Sequence, residues 1–119
     1  MDQIEFIEKL KKYGIEQNMV LTRELLFEPI NDKGDNHELI EFKKLFFPLN
    51  DESKETIIAY LKQFMEDNLG ILLSLLDGSS NIGQVGGKFE LYYDKDGERF
   101  HINNKEGDDL MTLLYDEDE

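Results

Sequence analysis

The sequence contains no cysteine. Disulfide staples, thiolate zinc sites and a thiol nucleophile are therefore excluded, and the fold must rest on its buried apolar side chains. Long greasy runs are also lacking. The longest, Ile71 to Leu76, is interrupted by Ser74 and is far shorter than the roughly 20 residues that cross a bilayer. Met1-Asp2-Gln3 has an acid where a secretory leader carries Lys or Arg, and no apolar stretch follows, which predicts a cytoplasmic protein. Basic residues are scarce: 13 Lys and Arg stand against 27 Asp and Glu, for a formal net charge of −14. That excess disfavours direct binding to a nucleic-acid backbone or an anionic membrane, since both require cations on the protein.

What is present suits a folded protein. The 119 residues are 39% hydrophobic and 11% aromatic, too apolar for a disordered acidic tail and enough for one packed core. The expectation is a single compact α+β domain over residues 1–119, ending in an acidic tail at 116–119. Half of the net charge is C-terminal: Glu106, Asp108, Asp109, Asp116, Glu117, Asp118 and Glu119 face no base in their segment.

Ile4, Ile7 and Leu10 recur at helical spacing with Phe6 and Tyr13 beside them, predicting a first helix over about 3–13, capped by Gly14. Leu25 to Ile30 reads as a strand, confined to an edge by Pro29, or as part of a helix. After the turn cluster 31–36, Leu39, Phe42, Leu45 and Phe46 favour a helix ending before Pro48, although Ile40 with Phe42 also fits alternation. A long core helix begins near Asn50 or Asp51, and Ile57, Leu61, Phe64, Met65, Asn68, Leu72, Leu75 and Leu76 trace its inner face. Gly70 marks a kink or an end. Beyond Asp77 a Gly-rich connection leads to a hairpin, in which Phe89, Leu91 and Tyr93 precede the turn at 94–97 and Phe100 and Ile102 follow it. Leu110, Leu113 and Leu114 suggest a short closing helix, so helices should pack on a small antiparallel sheet containing this hairpin.

Chemical motifs fail on inspection. With Gly97 at the sixth position of a calcium loop, Tyr92 and Asn103 fall where Asp and a bidentate Glu are needed, so Asp94-Lys95-Asp96-Gly97 reads as a turn. Gly86-Gly87-Lys88 lacks the upstream glycine and the hydroxyl of a phosphate loop. His37 and His101 read as surface residues, and none of the four serines sits in a nucleophile elbow. No catalytic residue, cofactor or metal is expected.

The acids themselves remain. Asp94, Asp96, Glu98, Glu106, Asp108, Asp109, Asp116, Glu117 and Asp118, with Tyr92 and Tyr115 among them, form a candidate surface for a basic protein partner. Carboxylates match Arg or Lys opposite while tyrosine rings supply contact area. The order Leu72-Leu73-Ser74-Leu75-Leu76-Asp77-Gly78-Ser79-Ser80, then a Gly-rich link, an aromatic hairpin and an acidic closing helix, resembles small acidic bacterial immunity proteins of toxin systems over the C-terminal half. The resemblance implies a non-enzymatic inhibitor that occupies the basic, nucleic-acid-binding surface of a toxin or nuclease, with no catalytic residues to carry over. The alternative is an accessory or structural protein that docks through an apolar patch, its acids serving solubility only.

Overall fold

A computed structural model describes residues 1–78, 86–104 and 106–116. Most of the Gly-rich connection, together with Glu117, Asp118 and Glu119 of the tail, lies outside them. The fold is α+β, with five α-helices and one two-stranded antiparallel sheet among the described residues.

Helix α1 (Gln3–Lys9) is capped by Asp2, whose carboxylate accepts the Glu5 N–H at 2.7 Å. The first helix does not stop at Gly14. It widens into a π-helical stretch over Leu10–Glu16, where the Gln17 N–H reaches the Lys12 carbonyl five residues back, and continues as α2 (Gln17–Phe27). Gly14 is not one of the left-handed residues, so it offers no C-cap. In an unbroken α-helix Ile15 would lie about a quarter turn out of line with Ile7; the wide turn takes up that excess, and both side chains enter one core. Of the two readings of 25–30, strand or helix, the structure takes helix as far as Phe27, the end of α2, which buries Leu26. Glu28, before Pro29, takes extended geometry, because the proline ring excludes a helical neighbour.

The following loop is fixed by its own side chains. Asn31 Oδ1 accepts the N–H groups of Lys33 and Gly34, each at 3.1 Å. Asp35 Oδ2 accepts the Asn31 N–H at 3.0 Å and the ammonium of Lys43 at 2.9 Å. Lys43 is wholly buried on α3 (His37–Phe46), and it also reaches the Pro29 carbonyl at 3.4 Å. The backbone N–H and the ammonium together hold the Asp35 carboxyl below the usual carboxylate range.

Asn50 caps α4 (Asp51–Asp77), and Gly78 ends it at a φ of +78°. At 27 residues α4 is about 40 Å long, most of the 51 Å longest dimension of the molecule. Gly70 does not end it. A Cβ there would meet the Tyr115 hydroxyl at 2.5 Å and its ring carbons at 3.1 Å, so glycine leaves room for that tyrosine.

The single expected core is two. One joins Met19 and Leu26 of α2, Phe46 of α3 and Ile58 of α4, with Phe27 edge-on to Phe46 at 5.5 Å. The other joins Ile7 and Ile15 to Leu73 of α4, Ile102, and Leu110 and Leu114 of α5 (Leu110–Tyr115). Because these cores approach α4 from different sides, its buried face changes along its length. Ile57, Ile58, Leu61 and Met65 pack in its first half, Leu69, Leu73 and Leu76 in its second. Phe64 and Leu72, expected inside, stand more than half exposed.

Strands β1 (Tyr92–Lys95) and β2 (Glu98–His101) pair with Tyr93 opposite Phe100 and Tyr92 opposite His101. Asp96 and Gly97 both take positive φ, as a two-residue hairpin turn requires. The strands begin later than expected, and Phe89 is exposed, not core.

One buried amide joins hairpin to helix. Asn103 Nδ2 donates to the Leu76 carbonyl at 2.6 Å and the Phe89 carbonyl at 2.8 Å, while its Oδ1 accepts the Leu91 N–H at 2.8 Å. The carboxylate of Asp77 then accepts the first N–H groups of α5, from Leu110 at 2.8 Å and Met111 at 3.0 Å. The last residue of α4 thus caps α5.

Replacing Asn103 by Leu strands three backbone groups and is expected to cost about 3 kcal/mol in urea unfolding. Asp35 sets a pH dependence. With its folded pKa depressed below the unfolded value of about 3.9, its stabilisation is complete above that value and is lost as pH falls through the folded pKa. The difference in unfolding free energy between the native protein and Asp35→Asn should stay level from pH 7 down to about 4.5, then shrink on further acidification; a level difference down to pH 2 would contradict it.

Candidate functional site

The N-terminus of α1 and the segment after β2 enclose a cleft of about 340 Å³ lined by Asp2, Gln3, Ile4, Phe100, His101, Asn104, Glu106, Gly107 and Asp108. Three local arrangements shape it. Gln3 Nε2 donates to the Ile102 carbonyl at 2.8 Å and the Asn104 carbonyl at 3.3 Å, tying the start of α1 to the strand end. Asn104 Oδ1 accepts the Glu106 N–H at 2.9 Å, which turns the chain back. Gly107 lies against Gln3, and a Cβ there would come within 2.7 Å of the Gln3 Cδ.

Every described charged residue lining this cleft is a carboxylate: Asp2, Glu106 and Asp108. Between them Ile4 is 56% exposed and Phe100 39% exposed, although periodicity and alternation predict both inside. His101 stacks on Tyr92 at 4.6 Å between ring centres, and its Nε2 has no hydrogen-bond partner among the described residues. Acidic oxygens around exposed apolar carbon suit a guanidinium or ammonium on an aliphatic stem. Among the described residues, no group of three or more His, Asp or Glu stands close enough to hold a metal ion.

The structure brings together some of the residues singled out from the sequence and separates others. Glu106 and Asp108 share the cleft. Asp96 and Glu98 line a neighbouring one with Lys95 and Arg99, where charge is mixed. Asp94 is occupied: Arg99 grips it with Nε at 2.8 Å and an Nη at 3.2 Å, holding its carboxyl below the ordinary range. Tyr92 lies between His101 and the Arg99 guanidinium, 4.9 Å from its ring centre. Asp109 precedes α5 at the cap position but makes no side-chain cap bond.

Tyr115 and Asp116 belong elsewhere. They line a larger cleft, about 560 Å³, with Lys11, Glu16, Lys62 and Glu66. Lys11 there donates to the Asp116 carbonyl at 2.8 Å. The Tyr115 hydroxyl lies 3.2 Å from Asp67, and burial beside that carboxylate pushes its pKa up. The acids singled out from the sequence are thus distributed over several clefts. Asp2, which that reading omitted, is marked in the sequence only as a residue able to cap the helix, three positions before Glu5. The role of Ile4 and Phe100 carries no local signal, because their exposure depends on where α1 meets β2.

The cleft is expected to depend on the contact between Gly107 and Gln3. Gly107→Ala should cost about 1–2 kcal/mol by displacing the Gln3 amide from two carbonyls, and the cost should fall by at least half in a Gln3→Ala background; equal costs in a double-mutant cycle would show the two residues to be independent. No family model, curated protein or solved structure matches this chain, so its function is argued from the site alone.

Proposed function

We propose that the protein is a non-enzymatic binding protein of the immunity or inhibitor type, which works in the cytoplasm and occupies a basic surface of a toxin or nuclease. The observation that carries this reading is the cleft at Asp2, Glu106 and Asp108, whose described charges are all negative and whose floor includes exposed Ile4 and Phe100. A partner surface evolved to hold phosphates offers Arg and Lys, and this arrangement matches them with carboxylates around an apolar seat. The net charge of −14 adds long-range attraction, which raises the association rate and falls with salt. Among the described residues no helix is long and apolar enough to cross a membrane.

A separate observation favours a second reading, docking through an apolar patch with the acids serving solubility. Tyr60, Phe64, Ile71 and Leu72 of α4 are each more than half exposed. Salt discriminates the two, because it weakens a carboxylate–guanidinium contact and leaves apolar docking intact or strengthened.

The test uses a nine-residue oligoarginine peptide in place of the basic surface. Amide shifts on titration should concentrate at Ile4, Phe100, Gly107 and their neighbours. The double reversal Glu106→Lys/Asp108→Lys should raise Kd about tenfold or more at low salt, and Asp96→Lys/Glu98→Lys should raise it no more than about threefold. Shifts spread evenly over all acidic segments, with equal effects of the two reversals, would refute the site.

A further inference from the structure

We infer that the acidic cleft between α1 and the hairpin is a receptor for one arginine side chain of the partner, with the guanidinium laid on the Phe100 ring and held by the surrounding carboxylates. The inference rests on the reading proposed above and adds to it which basic residue the partner presents, arginine and not lysine.

The chain's own arginines show what such a group takes. There are two, Arg23 and Arg99, and both make the same three-part arrangement of guanidinium, aromatic ring and carboxylate. Arg23 lies over Phe27, 5.0 Å from the ring centre, and grips Glu55 through both terminal nitrogens. Arg99 lies over Tyr92 at 4.9 Å and holds Asp94 through Nε and an Nη. Lysines behave differently. Lys12 lies over Tyr13 at 5.4 Å and Lys54 over Phe27 and Phe46 at 5.8 and 5.7 Å, and neither pairs with a carboxylate among the described residues. The physical reason is shape. A guanidinium is flat and weakly hydrated, so one face rests on a ring while its edge presents paired N–H groups to a carboxylate. An ammonium is a compact, strongly hydrated point charge, less suited to serve both partners from one position.

The cleft holds two of the three parts. Phe100, 39% exposed, lines it with Asp2, Glu106 and Asp108. Asp2 gives one oxygen to the Glu5 N–H, and the carboxylates of Glu106 and Asp108 accept no hydrogen bond among the described residues. The chain has no third arginine to complete the set. A second observation points to a missing partner: His101 lines the same cleft, and its Nε2 is buried without a hydrogen-bond partner among the described residues. A buried polar atom left so is rare in a folded protein. Ile4 offers exposed carbon to the aliphatic stem of an arginine. At about 340 Å³ the cleft is at the lower end of the ~300–1,000 Å³ range of small-ligand pockets, which suits one side chain and not a folded segment. Arginine grips phosphate oxygens in pairs, so a nucleic-acid-binding surface presents the group that this cleft accepts.

The test compares nine-residue oligoarginine with nine-residue oligolysine, equal in length and charge, by calorimetry at the same pH and salt. Oligoarginine is expected to bind at least about fivefold more tightly. Phe100→Leu should bring the ratio of the two Kd values below about twofold and leave oligolysine binding within about twofold of native. Phe100→Tyr, which keeps the ring, and Phe64→Leu, which removes an exposed ring elsewhere, should leave the ratio unchanged. In the native protein, nuclear Overhauser contacts should join the arginine δ protons to the Phe100 ring.

Equal Kd values for the two peptides, a ratio that survives Phe100→Leu with circular dichroism unchanged, or no contact between arginine and the Phe100 ring would overturn the inference and leave the carboxylate site standing. Absence of amide shifts at Ile4, Phe100 and Gly107 with either peptide would overturn the site itself, and the arginine receptor with it.

Discussion

One helix bears the whole structure. The 27 residues of α4 supply a wall to both hydrophobic cores, and because those cores lie on different sides, the apolar face of the helix changes midway. A helix buried on one stripe carries its apolar residues at a single period, and α4 carries them over a wider arc. The surplus is visible as the exposed series from Tyr60 to Leu72. The continuous helical segment from α1 through α2 faces the same demand and meets it differently, with a π-helical turn that aligns Ile7 with Ile15 before Met19 and Leu26 pass to the other core.

Polar side chains close the ends that apolar packing leaves open. Asn103 satisfies three backbone groups at the junction of α4 and the hairpin, Asp77 caps α5, and Asp35 with Lys43 holds the loop before α3. Asn103 and Asp77 meet part-buried backbone polar groups that would otherwise lie unpaired, a larger cost than any net gain from one hydrogen bond. Their number is consistent with two modest cores and no cross-link. The ion pair of Arg23 with Glu55 lies exposed on the surface and adds little beside them.

The same geometry bears on function. Charge that is diffuse in the sequence becomes local when α1 docks on the strand end and places Asp2 beside Glu106 and Asp108. Elsewhere it is partly neutralised: Arg99 holds Asp94, Lys88 stands 3.2 Å from Glu90, and Lys95 and Arg99 interrupt the hairpin acids. Asp94 and Glu90 thus each have a cation beside them, whereas Asp2, Glu106 and Asp108 make no ion pair among the described residues.

The sequence by itself determined the secondary structure wherever the signal was local. The caps at Asn36 and Asn50, the stop before Pro48, the hairpin turn and the short closing helix all depend on residues within a few positions of each other. It also excluded disulfides and a membrane-spanning run. Tertiary structure decided which apolar positions are inside, because Ile4, Phe64, Leu72 and Phe100 carry the same local pattern as buried residues and differ only in what approaches them. It decided that Gly70 seats a tyrosine and Gly107 a glutamine, since a missing Cβ has meaning only against a neighbour distant in sequence. It decided, finally, which acids meet, for a cleft between the first helix and the end of the hairpin joins residues about a hundred positions apart, beyond the reach of any periodicity.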